Sequence, residues 1–179
     1  MKKYSVLIFI IIVCVVLLST ISLGLIFPRK NIDIIRVYAN KYVLPVDMVM
    51  SVINIESGFD SNAVSDAGAV GVMQIMQSTA TDCARRMGLE TEKIDLYDLE
   101  INLDIGCFYL SYLMGMFGDN VTNVLTAYNW GLGNVKNWIG LGNVDEDGTI
   151  TNIPVVETKN YLKKFRLNIF VYGKIYKVK

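Results

Sequence analysis

A chain of 179 residues is long enough for one domain with a short extension. It contains no histidine, which excludes Ser-His-Asp and Cys-His nucleophile machinery and every histidine-containing metal site. Its three cysteines leave a cysteine-only zinc site one ligand short, and a hydrophobic content of 53% excludes disordered and collagen-like classes. No metal and no cofactor is expected.

The formal net charge of zero conceals an arrangement. Residues 42–158 hold four basic residues against 16 acidic ones. Residues 159–179 hold seven basic residues and no acidic one. So acidic a centre argues against nucleic-acid binding. Tyr161, Leu162, Phe165, Ile169, Phe170 and Tyr172 make the basic tail amphipathic, as a packed helix with a solvated face would be. Attraction to anionic lipid or wall polymer is the other reading of the same charges.

In chain order, Lys2 and Lys3 precede a stretch, residues 4–28, without a single charge. At ~1.5 Å per residue it can cross a ~30 Å hydrocarbon core. No small-residue cleavage site follows, and no small residue stands directly ahead of Cys14. Residues 4–27 are therefore expected to form an uncleaved transmembrane anchor, with residues 1–3 before it and a domain over 28–179 after it.

The domain reads as mainly α. A first amphipathic stretch covers 31–43. Pro45 opens a helix that runs through Met48, Val49, Val52 and Ile53 to Glu56 and stops at Ser57-Gly58. Residues 58–72, rich in Gly, Ser, Asn and Asp, are expected to be loop or short extended pieces. Helices follow over about 77–87, ending at Gly88, over about 98–117, and from Asp119-Asn120 to Tyr128. A short helix near 134–138 and a loop or hairpin around Asp145-Glu146-Asp147-Gly148 lead to Pro154 and a last helix over about 155–173. Cys83 and Cys107 fit either a disulfide or two buried thiols.

Chemistry has to come from carboxylates. Glu56 ends an apolar helix. Apolar neighbours and the negative helix end both favour its protonated form, as a general acid requires. The local sequence fits a helix-terminal surface carboxylate as well. Gly68-Ala69-Val70-Gly71-Val72-Met73-Gln74 brings backbone, an amide and a thioether that suit a sugar, or else forms a turn into the core. Ala127-Tyr128-Asn129-Trp130-Gly131 and Glu157-Thr158-Lys159-Asn160-Tyr161 are two further polar clusters at helix ends.

Together these segments resemble the lytic transglycosylases with an SLT-type (soluble lytic transglycosylase) catalytic domain, of lysozyme-like fold. The family's Glu-Ser appears as Glu56-Ser57 and its Gly-Leu-Met-Gln as Gly71-Val72-Met73-Gln74. Asn102, Gly106, Tyr109 and Leu110 match a third motif, Ala127-Tyr128-Asn129-Trp130-Gly131 a fourth, and Pro154, Glu157, Thr158 and Tyr161 a fifth. Five motifs stand in order over about residues 38–165. Val72 and Gln77 depart mildly from the family pattern, and the loop 140–153 does not align.

The resemblance implies cleavage of the β-1,4 bond between N-acetylmuramic acid and N-acetylglucosamine in peptidoglycan, leaving a 1,6-anhydro end. Glu56 would be the catalytic acid and then base. Tyr128 would orient it or the substrate acetamido group. Gln74, Met73 and Glu157 would contact substrate, and Ser57 and Asn129 would hold the local backbone. The domain would then lie on the outer face of the cell membrane. Two alternatives share these residues: a hydrolytic muramidase, and a wall-binding accessory protein of a secretion, conjugation or sporulation assembly.

Overall fold

The computed structural model describes residues 2–92 and 94–178, without the side chains of residues 2–7 and 19. The side chains of Lys2 and Lys3, and all of Lys93 and Lys179, thus lie outside the described residues. Helix α1 (Lys2–Ile26) carries the apolar run; its segment Ile8–Ile26 has a mean hydropathy of 2.9, and of its described side chains only Leu23 packs, half-buried, against the domain. It is long and apolar enough to cross a membrane.

The domain is built on α3 (Val46–Glu56), which is apolar on nearly every side. Met48 to Ile53 are all buried, as expected of a helix wrapped by neighbours. Those neighbours include α2 (Ile32–Lys41) and α8 (Val156–Phe170). A second layer is led by α5 (Leu99–Phe117), which packs on α2, α4 (Gln77–Met87) and α6 (Val121–Trp130); α6 in turn meets α7 (Leu132–Gly140) and α8. Side-chain caps set two of the starts. Asp98 accepts from Ile101 N, and Asn120 from Asn123 N. Gly88, at φ 71°, ends α4 as the sequence requires.

No strand forms among the described residues. The extended pieces are isolated bridges, Val64 with Val70 and Val70 with Ile75 between α3 and α4, and Val144 with Ile150 after α7. The expected loop over 58–72 is thus a folded double turn, and the hairpin around Asp145–Gly148 is real. Asn123 holds that hairpin from α6, donating to the Gly148 carbonyl and accepting from Ile150 N.

Two expectations change, and one open alternative is settled. The helix near 134–138 extends over Leu132–Gly140. The last helix ends at Phe170 and continues as a π-helical turn, Val171–Ile175. The turn buries Val171 and Tyr172, but Phe170 is left 56% exposed, so it does not join the packed face. Cys83 and Cys107 are separate buried thiols, not a disulfide.

One buried amide ties the double turn to α5. Asn102 accepts from Met73 N (2.9 Å) and donates to the carbonyls of Val70 and Leu96 (2.9 Å each). The neighbouring Gly71 has no room for a side chain, since a Cβ there would overlap Asn102 and the Leu96 carbonyl. Asn102→Ala leaves two buried backbone groups, Met73 N–H and the Leu96 carbonyl, unpaired, whereas the Val70 carbonyl keeps its bond from Ile75 N. It should cost about 2 kcal/mol or more, read as a lower urea midpoint of unfolding.

Candidate active site

Glu56 is the last residue of α3, at the point where that buried helix reaches a cleft of about 540 Å³. Glu56, Ser65, Gln74, Asn129, Glu157 and Lys164 are among the lining residues. A second cleft of about 210 Å³ shares Gln74 and Asn129 with the first and adds Met76, Tyr128 and Trp130. The two together form a groove with polar groups at one end and apolar faces at the other, a pairing that suits a sugar chain.

Burial pushes the Glu56 carboxyl up to about 7 from an ordinary 4.5. The nearby Tyr161 hydroxyl moderates the rise, the Glu157 charge adds to it, and Lys164 opposes it. At neutral pH this carboxyl is therefore balanced between donating and accepting a proton. Tyr161 itself is buried in α8, with its pKa held well above the ordinary value by desolvation first and then by the Glu56 charge. Its hydroxyl faces Glu56 closely enough to lower that carboxyl's pKa, without a well-formed hydrogen bond in the resting protein. It is the one buried side-chain polar atom among the described residues left without a hydrogen-bond partner.

The structure divides the residues singled out from the sequence. Glu56, Gln74, Asn129 and Glu157 share the larger cleft. Gln74 sits in left-handed backbone (φ 48°), and its amide nitrogen donates to the Ala63 and Gly71 carbonyls, which leaves its Oε1 for a ligand. Ser57 holds the backbone, donating to the Val72 carbonyl at 2.8 Å. Asn129 does not serve loop amides; it accepts from the Thr158 hydroxyl at 2.8 Å and so joins α6 to α8.

Two expectations need correction. Met73 cannot touch a substrate, because its side chain is wholly buried against Gly106, whose missing Cβ makes the space. Met76, 39% exposed, is the thioether that lines the groove. The Tyr128 hydroxyl donates its proton to the Met73 carbonyl at 2.8 Å and not to Glu56. Tyr128 is near enough for the Glu56 charge to raise its pKa, but the hydroxyl aimed at Glu56 is that of Tyr161. The sequence offered a signal for this. Tyr161 follows Glu157 by four residues, one helical turn, so both can face the same cleft.

Comparison with known proteins agrees with this architecture. The family model "Transglycosylase SLT domain" matches residues 33–149. The chain belongs to that family, and its fold is lysozyme-like. The soluble lytic murein transglycosylase of Escherichia coli K12 is 32% identical over 155 residues, covering 84% of this chain and 23% of that protein. Membrane-bound lytic murein transglycosylase C of Photorhabdus laumondii is 33% identical over 160 residues, covering 76% of this chain and 44% of that protein. A solved structure of the lytic transglycosylase Slt from Pseudomonas aeruginosa, described as an inactive glutamate-to-glutamine mutant, superposes with a TM-score of 0.76 at 26% identity, over 87% of this chain and 26% of that one. The chain thus spans less than half the length of each of these relatives.

The raised carboxyl has a measurable signature. Because the fold favours the protonated form of Glu56, its contribution is complete below pH 4.5, is lost as pH rises to about 7, and is flat above. Glu56→Gln should remove that slope and leave the fold more stable than wild type above pH 7, read from urea midpoints across the range. Tyr161→Phe removes the moderating hydroxyl, so the sloping region should extend to higher pH. An unchanged slope in both variants would contradict this electrostatic account.

Proposed function

We propose that the chain is a membrane-anchored peptidoglycan lytic transglycosylase whose catalytic group is Glu56. The observation that carries the reading is the carboxyl raised to about 7 at the floor of a sugar-sized cleft. Protonated Glu56 gives its proton to the glycosidic oxygen between N-acetylmuramic acid and N-acetylglucosamine. The muramic 2-acetamido group stabilises the positive charge developing at C1. The Glu56 carboxylate then takes the proton of the same sugar's C6 hydroxyl, whose oxygen closes on C1 as a 1,6-anhydro ring. One carboxyl thus serves as acid and then base, and no water is consumed.

Tyr161 supports this cycle. Its unpartnered hydroxyl can bond to Glu56 once the carboxyl is charged, the state in which a donor is worth most. Gln74 Oε1 and Asn129 are placed to hold sugar amides and hydroxyls, with Met76 and Trp130 against ring faces. The names of the relatives, lytic murein transglycosylases both soluble and membrane-bound, favour the same reading.

Glu157 favours a second reading. It is another carboxylate in the same cleft, and two carboxylates across the bond are what a hydrolytic muramidase uses, one of them activating water. Product mass separates the two, since an anhydro end lacks one water relative to a reducing end. Digestion of purified peptidoglycan should give anhydro products. Glu56→Gln should lower the rate by about 10⁴-fold, the upper end for acid–base help. Glu157→Gln should cost far less and shift the alkaline limb of the pH profile downward, because the Glu157 charge raises the Glu56 pKa. Reducing ends, together with loss of activity in Glu157→Gln, would establish the hydrolytic reading instead.

The anchor is α1, with the domain on the outer face where peptidoglycan lies. Protease added to intact, wall-stripped cells should therefore digest residues 28–179. Protection until lysis would overturn the topology and the substrate with it.

A further inference from the structure

Helix α1 does not lead into a flexible tether. The Ile26 carbonyl, at the end of the apolar span, accepts from Asn54 Nδ2 at 3.1 Å, and the same amide donates to Asn168 Oδ1 at 2.7 Å. Phe27 is 5% exposed and packs edge-on against Tyr172, with ring centroids 6.2 Å apart. The Tyr172 hydroxyl donates to the Pro28 carbonyl at 2.8 Å, and the Arg29 guanidinium lies 4.5 Å above the Tyr176 ring. Four consecutive residues, Ile26 at the end of the span and Phe27 to Arg29 after it, are thus fastened to α3, to the π-helical turn and to Tyr176 just past it.

The fastening point is beside the active site. Asn54 precedes Glu56 by two residues in the same helix, a rise of about 3 Å. Along α8, Lys164 lies about 6 Å from Asn168 and Glu157 about 16 Å from it. The cleft therefore begins close to the outer end of the span, and the headgroup layer extends about 5–8 Å beyond that end.

We infer that this site cuts glycan still tied to the membrane, namely the lipid-diphosphate-linked end of a strand during polymerisation, and leaves a short stub of set length. The inference rests on the proposed function, both the acid at Glu56 and the anchor at α1. Charge supports it. Arg29, Lys30, Lys174 and Lys177 are all exposed at or beside the junction, where anionic headgroups and the carrier's diphosphate would lie. Lys163 and Lys164 carry the positive charge on into the cleft. Exposed Phe170 and Ile175 stand near the same level, suited to the apolar edge of the interface.

The full chain in vesicles tests this. One substrate is glycan polymerised on a lipid diphosphate carrier in the same vesicles; the other is lipid-free glycan in solution. The comparison protein carries a Gly/Ser spacer of about 20 residues between Ile26 and Phe27, which spans about 25 Å on average. Wild type should leave lipid-bound stubs of narrow length distribution. The spacer protein should leave stubs longer by up to about 25 Å and broadly distributed, while both cut lipid-free glycan at the same rate. Identical stubs from the two proteins would overturn the inference alone. So would wild type cutting lipid-free glycan but sparing lipid-bound strands. Cleavage of neither substrate by wild type would overturn the catalytic assignment and this inference with it.

Discussion

The arrangement depends on keeping water from one carboxyl. A charge at the end of a buried helix is costly, and the chain answers that cost by raising the Glu56 pKa, so that a large share of it is neutral near pH 7. This requires walls on every side but one. Helix α3 provides apolar support from behind, the double turn closes one flank, and α8 closes the other with a buried tyrosine. The glycines and buried amides of the domain make sense as the means of holding those walls. Asn102 fastens the double turn to α5, Asn123 fastens the hairpin to α6, and Asn129 with Thr158 joins α6 to α8.

Asn102, Asn123 and Thr158 are polar groups inside an apolar core, and each is hydrogen-bonded to backbone or to another side chain. Such networks rigidify a site because every member loses its partners if the geometry slips. The exception is Tyr161, whose hydroxyl has none. A buried donor without a bond is unfavourable in the resting protein. It becomes favourable when Glu56 ionises, which is the state reached midway through the proposed reaction. Part of the stability of the free protein is thus exchanged for stabilisation of an intermediate charge state.

Much of this was legible in the linear chain. The cap at Asn120, the stop at Gly88 and the apolar run ending at Glu56 are local signals, and the helices formed where they pointed. What failed was any reading that needed to know which segments meet. Met73 looked like a flexible contact for a sugar, because nothing near it in sequence reveals that Gly106 opens a socket for it from α5. Tyr128 looked like a partner for Glu56, but a carbonyl carried in by the double turn reaches its hydroxyl first. Phe170 was counted with the amphipathic face, but at ~100° per residue it lies opposite Tyr161 on α8 and is left exposed. Distant approach leaves no mark in residue spacing.

The two domain cysteines bear on where such a protein can function. Burial raises the Cys83 thiol to about 11 and the Cys107 thiol to about 12. Oxidants and disulfide exchange act on the thiolate, which is scarce at neutral pH when the pKa is that high. Neither sulfur is bonded to the other, and both are packed as small apolar side chains in the core. The fold therefore owes nothing to covalent cross-links and asks nothing of an oxidising folding pathway. The same chain would keep its shape on either side of a redox boundary, so a cell can export it without the machinery that pairs cysteines.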